Sequence, residues 1–112
     1  MRKIERLMCQ AINSEKNFSR DNTSVTHEDG VASVYLHGNL IAKVSQDDLQ
    51  LFDGDGWQTN TTKSRLNAIL EEFGNNNRET VFQKQFIWYC NLWNNALKEY
   101  NTVKFRNGMI LR

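Results

Sequence analysis

The feature that most constrains the fold is a change of hydrophobic period at about residue 22. Before it, Ile4, Leu7, Met8, Ala11 and Ile12 recur at helical spacing within residues 2–13. That stripe predicts a short amphipathic helix, docked either on its own domain or on a partner subunit. Polar residues from Asn13 to Asn22 form a connection. Beyond it the pattern alternates, and Thr23–Glu28, Val31–His37, Leu40–Val44 and Leu49–Phe52 read as four short strands. Asp29-Gly30, Gly38-Asn39 and Gln46-Asp47-Asp48 separate them, all with turn chemistry, so the spacing predicts an antiparallel meander.

Asp53-Gly54-Asp55-Gly56 breaks the strand pattern. A second helix follows from about Thr62 to Phe73, with Leu66, Ile69, Leu70 and Phe73 on one face, Thr61 as N-cap and Gly74 as its stop. Asn75-Asn76-Asn77 reads as a loop and Thr80–Cys90 as one long strand, which would put Phe82, Lys84 and Phe86 on a shared face. Asn91–Tyr100 fits either a short helix or an irregular excursion. Thr102–Arg106 and Met109–Leu111 read as a hairpin around Asn107-Gly108. The expected fold is α+β: a mostly antiparallel sheet, a meander plus C-terminal strands, packed with two helices. A single domain would span 1–112, with an N-terminal amphipathic helix in 1–16 and a sheet-and-helix body in 22–111.

A chain of 112 residues suits one core rather than two. Fourteen basic and thirteen acidic side chains leave a net charge of +1, so no global field draws it to duplex DNA or anionic lipid. Any anion site must be local. Cys9 and Cys90 lie far apart in no metal-like spacing, and read as reduced, buried small hydrophobes. The basic start, Met1-Arg2-Lys3-Ile4-Glu5-Arg6, lacks the apolar run of a signal peptide, and no stretch would span a membrane. The expectation is a cytosolic protein without a membrane partner.

One stretch points to chemistry. Thr61-Thr62-Lys63-Ser64-Arg65 crowds hydroxyls and two cations into a first helical turn, where unpaired N–H groups and the macrodipole favour anions. A phosphate could sit there, with Arg65 gripping two oxygens. An ordinary capped helix start accounts for the same residues, and taken alone the two readings weigh evenly. Phe82, Phe86, Trp88, Tyr89, Trp93 and Phe105 could offer a base-stacking platform, although large residues on a strand more often feed a core. Arg106, before the Asn107-Gly108 turn, suits an anion contact or a plain surface role.

Catalytic and metal patterns are weak. Asp53-Gly54-Asp55 echoes a calcium loop, but Trp57 stands at the next ligand position and no glutamate closes the loop at Ser64. Gly54-Asp55-Gly56 lacks the rest of a dinucleotide fingerprint. His27 and His37 have no zinc-type partners, and His37 before Gly38-Asn39 reads as a turn residue. No catalytic residue, metal or cofactor is expected, and the protein reads as a non-enzyme.

Several blocks then carry a resemblance. They are Asn22-Thr23-x-Val25; Leu36-His37-Gly38-Asn39-Leu40-Ile41-Ala42; Gly56-Trp57-x-Thr59-x-Thr61-Thr62-Lys63-x-Arg65-Leu66-Asn67; Phe82-Gln83-Lys84; and Phe105-Arg106-Asn107-Gly108-Met109. In this order the chain resembles the phage anti-Thoeris signal-sponge proteins, the first described family of that kind, over about residues 22–111. The resemblance implies an immune-evasion protein that sequesters a cyclic ADP-ribose isomer without cleaving it, in the cytoplasm of the infected bacterial host. It also implies a homo-oligomer, dimer or hexamer, with separate sites in some members for cyclic di- or trinucleotides. On that basis Arg65 and Arg106 would contact phosphates, Phe82 would stack the adenine, and Asn91 would read its edge. Lys63, Thr61 and Thr62 would assist at the pyrophosphate, and Arg20 would serve a second nucleotide site.

Other functions compete. A phage accessory protein could bind nucleic acid or a host protein, using Lys63, Arg65, Lys84, Lys104 and Arg106 along a groove. An enzyme that degrades a cyclic nucleotide would need a histidine beside Arg65, His37 first and His27 second, as acid or base. A direct protein inhibitor would show an exposed apolar patch.

Overall fold

A computed structural model describes residues 1–56, 58–76 and 78–111; Trp57 of the loop block and Asn77 of the asparagine loop lie outside these. Two helices and nine strands follow one another as α1 (Lys3–Asn13), β1 (Phe18–Arg20), β2 (Thr23–Glu28), β3 (Val31–Leu36), β4 (Asn39–Val44) and β5 (Leu49–Leu51), then α2 (Asn60–Phe73), β6 (Thr80–Lys84), β7 (Ile87–Asn94), β8 (Glu99–Lys104) and β9 (Met109–Ile110). All pairings are antiparallel, in a six-stranded sheet ordered β1-β2-β3-β4-β5-β9 and a three-stranded sheet ordered β6-β7-β8. The α+β class and the meander therefore hold.

Alternation explains the large sheet. Val25, Val34, Leu36, Ile41, Val44, Leu49 and Leu51 are buried and form one core with Met8, Cys9 and Ile12 of α1 and Leu66, Ile69 and Leu70 of α2. Val81, Trp88 and Cys90 of the small sheet join it. Helix α2 touches β4 on one side and β6 on the other, while α1 packs on α2 and β2. The N-terminal stripe is thus satisfied by its own chain.

Several boundaries differ from expectation. Thr59, not Thr61, caps α2: its hydroxyl accepts from the Thr62 N–H at 3.1 Å, and α2 starts at Asn60. The polar connection holds a short strand, Phe18–Arg20, paired with β2. The long strand over Thr80–Cys90 is a hairpin instead, because Gln85 and Phe86 take positive φ (51° and 67°) and turn the chain. Phe86 therefore leaves the face that Phe82 and Lys84 share, and the undecided segment 91–100 becomes the end of β7, a turn and the start of β8. The hairpin expected around Asn107-Gly108 is a crossover: β8 belongs to the small sheet and β9 to the large one. Gly108 N–H donates to Leu51 O at 2.7 Å, and the Asn107 side chain accepts from Asp53 N–H at 2.9 Å, which pins the crossover to β5.

Candidate functional site

Strand register decides which side chains reach solvent together. The pairs Lys84↔Ile87, Phe82↔Tyr89↔Lys104, Thr80↔Asn91↔Thr102 and Trp93↔Tyr100 all fall on one face of the small sheet. The opposite face carries Val81, Trp88 and Cys90 and closes on the core. The first face is therefore the outer one. Its rings form two pairs: Phe82 and Tyr89 stack at 5.7 Å between centroids, 26° from parallel, and Trp93 meets Tyr100 edge-on at 5.1 Å. Between them runs a polar row of Thr80, Asn91 and Thr102. Tyr89 and Trp93 stand four positions apart along β7, about 13 Å at strand rise. Lys84 and Lys104 are exposed at the Phe82–Tyr89 end. At the other end the Tyr100 hydroxyl donates to Asn76 Oδ1 and the Trp93 N–H to Glu79 Oε2, fixing the second ring pair against the loop after α2.

Asn75 and Asn76 are tied to Glu79. The buried Glu79 carboxylate also accepts from the N–H groups of Asn75 and Asn76, at 2.7 and 3.4 Å. Gly74 makes room for it, since a Cβ there would lie 2.5 Å from Leu70 O and 2.6 Å from Glu79 Oε1.

The residues singled out from the sequence scatter. Phe82 and Asn91 come together on the outer face, in neighbouring rows. Arg65 does not join them. It is 3% exposed, and its Nη1 donates to Glu5 Oε2 at 2.8 Å, its Nε to Thr23 Oγ1 at 3.0 Å and its Nη2 to Asn22 Oδ1 at 3.4 Å. The phosphate grip expected of Arg65 is replaced by an ion pair that ties α2 to α1 and β2. Thr62 is buried, with its hydroxyl 2.9 Å from that of Thr59, and Thr61 is half-buried in the same turn. Lys63 reaches Gln83 Oε1 at 3.3 Å and lies 6.0 Å from the centre of the Trp88 ring. Arg65 therefore points into the protein, while Lys63 lies along the surface toward β6. A cavity of about 380 Å³ does open at the start of α2, but Leu36, Ile41, Gly54, Thr59, Thr62, His37 and Asn39 line it, without Lys63 or Arg65.

Arg20 is exposed on β1, at the far edge of the large sheet. Arg106 is exposed past the end of β8, where it lines a groove of about 460 Å³ with Lys104, Val103, Ile110 and Trp93. Tyr89, one of the candidate stacking aromatics, and Lys104, one of the candidate groove cations, complete the outer face with Thr102, which no sequence pattern singles out. Period-2 spacing from a turn at Gln85-Phe86 would have exposed them, but that pair carries no turn signal.

Burial pushes both thiols up to about 12, helped by Glu72, Glu5 and Glu71 around Cys9 and by Glu79 near Cys90. Neither is poised as a nucleophile. His27 Nε2 lies 3.0 Å from Ala11 O, joining β2 to α1, whereas His37 sits in the β3–β4 turn at the other end of the hairpin. Among the described residues no group of three or more acidic, cysteine or histidine side chains could hold a metal, and no helix is long and apolar enough to cross a membrane.

A family model described as the Kyanoviridae Gp96 protein matches residues 1–112. The chain belongs to this family of phage proteins. The match takes in α1, which the resemblance over 22–111 had left outside, in keeping with the Glu5–Arg65 pair that joins α1 to the body. No curated protein and no solved structure matches the chain.

Proposed function

We propose that this phage protein binds nucleotide bases on the outer face of the three-stranded sheet and retains them without cleavage. The observation that carries the reading is the pair of aromatic platforms, Phe82–Tyr89 and Trp93–Tyr100, flanking the polar row through Asn91. Aromatic rings on a solvent-facing sheet stack bases at about 1–3 kcal/mol each, and Asn91, Thr80 and Thr102 can hydrogen-bond a base edge or ribose. Lys84 and Lys104 supply local positive charge to a chain with almost none overall. A spacing of about 13 Å between platforms favours a ligand with two bases over one with a single adenine. Sequestration of a cyclic defence signal is the role the resemblance to the anti-Thoeris sponges suggests. Within it, the two-platform face fits a cyclic dinucleotide better than a cyclic ADP-ribose isomer.

A second reading has its own support. The Phe82–Tyr89 end carries both exposed lysines, as a track for single-stranded nucleic acid would. One experiment separates the two. Purified protein is incubated with cyclic ADP-ribose isomers, cyclic dinucleotides and short single-stranded oligonucleotides, filtered, then heat-denatured, with mass spectrometry of both fractions. Retained and intact cyclic nucleotide, with affinity lowered about 10- to 100-fold by Phe82→Ala or Tyr89→Ala, is the expected result. Chemically altered ligand would overturn non-cleavage. Oligonucleotide binding that falls steeply with salt, without cyclic-nucleotide retention, would establish the second reading. No retention of any base-containing ligand would end the proposal.

A further inference from the structure

We propose that β8 is a self-pairing edge: two copies join their β8 strands antiparallel, fusing two small sheets into one continuous sheet. The inference stands apart from the nucleotide reading, and oligomeric state can be measured without ligand.

Exposed strand edges invite pairing unless they are short, charged, broken by proline or covered. The large sheet ends in β1 and β9, only three and two residues long. The β6 edge is blocked at Val81, where the Asn67 amide takes the place of a neighbouring strand. Its Oδ1 accepts from Val81 N–H at 2.7 Å and its Nδ2 donates to Val81 O at 3.1 Å. Strand β8 has six residues and ends the small sheet, and its outward edge has no backbone partner among the described residues. Its charges, Glu99 and Lys104, stand only at its two ends. Thr102, Val103 and Lys104 are exposed.

The ladder fixes which atoms are free. Phe105 N–H donates to Trp88 O at 3.0 Å, so in the alternation of an antiparallel pair Val103, Asn101 and Glu99 also face β7. Tyr100, Thr102 and Lys104 turn their N–H and C=O groups outward. A two-fold axis perpendicular to the sheet keeps each copy's outer face on the same side, so paired residues must share a face. The register centred on Thr102 meets that condition and uses all the outward groups. Thr102 then faces the partner's Thr102, and Tyr100 faces the partner's Lys104.

Those neighbours are favourable. Cross-strand threonine pairs and a lysine beside an aromatic ring both stabilise a sheet, and the two lysines do not face one another. Val103, 40% exposed in the single chain, gains the partner's Asn101 as a neighbour. The register centred on Asn101 does worse, since it leaves the outward groups of Lys104 without a counterpart. In the favoured register the row Phe82, Tyr89, Lys104 runs on into the partner's Tyr100 and the partner's Trp93. The second copy thus extends each aromatic platform.

The test is the mass of ligand-free protein by light scattering and sedimentation, at the highest soluble concentration. Wild type is expected at twice the 13.1 kDa of the chain. Thr102→Pro removes an N–H that the β7 ladder does not use, and Thr102→Lys sets two lysines face to face on the axis; each should give a folded monomer. Thr102→Glu alone should also be monomeric, and an equal mixture of the Lys and Glu variants should return to dimer. A monomeric wild type overturns the proposal. So does a dimer that persists in folded Thr102→Lys, or a charge-swapped mixture that stays monomeric.

Discussion

Arg65 shows how a residue's environment overrides its type. Its guanidinium is held by Glu5, Thr23 and Asn22, and the Ser64 hydroxyl donates to the same Glu5 oxygen. Removing one partner of a buried pair strands the other charge, whereas replacing both with apolar groups of similar volume is often neutral. Arg65→Ala should therefore destabilise the fold by about 3–5 kcal/mol, and Glu5→Leu with Arg65→Met should recover most of that loss in urea titrations. If Arg65→Ala kept full stability but lost ligand binding, the ion pair would not be its role. The sequence held part of this. Arg65 follows Thr62 by three positions and precedes Ile69 by four, so it shares their buried stripe. The clustering of Lys63 and Arg65 concealed that difference in facing. The partner, Glu5, lies sixty residues upstream, where no local pattern signals it.

At the scale of elements, turns marked by glycine or by paired aspartates are legible in the sequence, and the turn at Gln85-Phe86 is not. Asp29-Gly30 and His37-Gly38 take positive φ at both central residues, as two-residue hairpin loops demand, and the glycines announce them. Gln85-Phe86 adopts the same conformation with a bulky aromatic at φ 67°, left 91% exposed. Nothing in that dipeptide suggests a turn, so the sequence pattern runs on as one strand and conceals the register of the outer face. The left-handed region costs an ordinary residue roughly 1–2 kcal/mol. Gln85→Asn with Phe86→Gly should accordingly raise stability by about that amount, read as an upward shift in Tm. A lower Tm would mean that Phe86 makes contacts its exposure does not reveal. The β8–β9 crossover escaped notice for a related reason: Asn107-Gly108 is good turn chemistry, but a turn does not tell which sheet receives the next strand.

Across the whole molecule, Glu5 ties α1 to α2 and, through Arg65, to β2. Its Oε1 accepts from Arg2 N–H at 3.0 Å at the start of α1, while its Oε2 receives Arg65 from α2, whose Nε in turn holds Thr23 of β2. Burial pushes the carboxyl's pKa up, but the Ser64, Arg2 and Arg65 hydrogen bonds and the Arg65 charge outweigh it and hold the group below its ordinary value. A depressed folded pKa means the unfolded chain takes up the proton first. The stability Glu5 contributes is thus fully present above the unfolded carboxylate range, about pH 4.3, and is lost as pH falls through the folded value. Because one proton there loosens α1, α2 and β2 together, acid unfolding should be a single cooperative transition, seen alike by far-UV circular dichroism and by tryptophan fluorescence. In the Glu5→Leu, Arg65→Met double variant that contribution is absent, so its stability should fall less steeply with acid than that of wild type. Parallel acid titrations of the two proteins would show that other carboxylates govern the pH response.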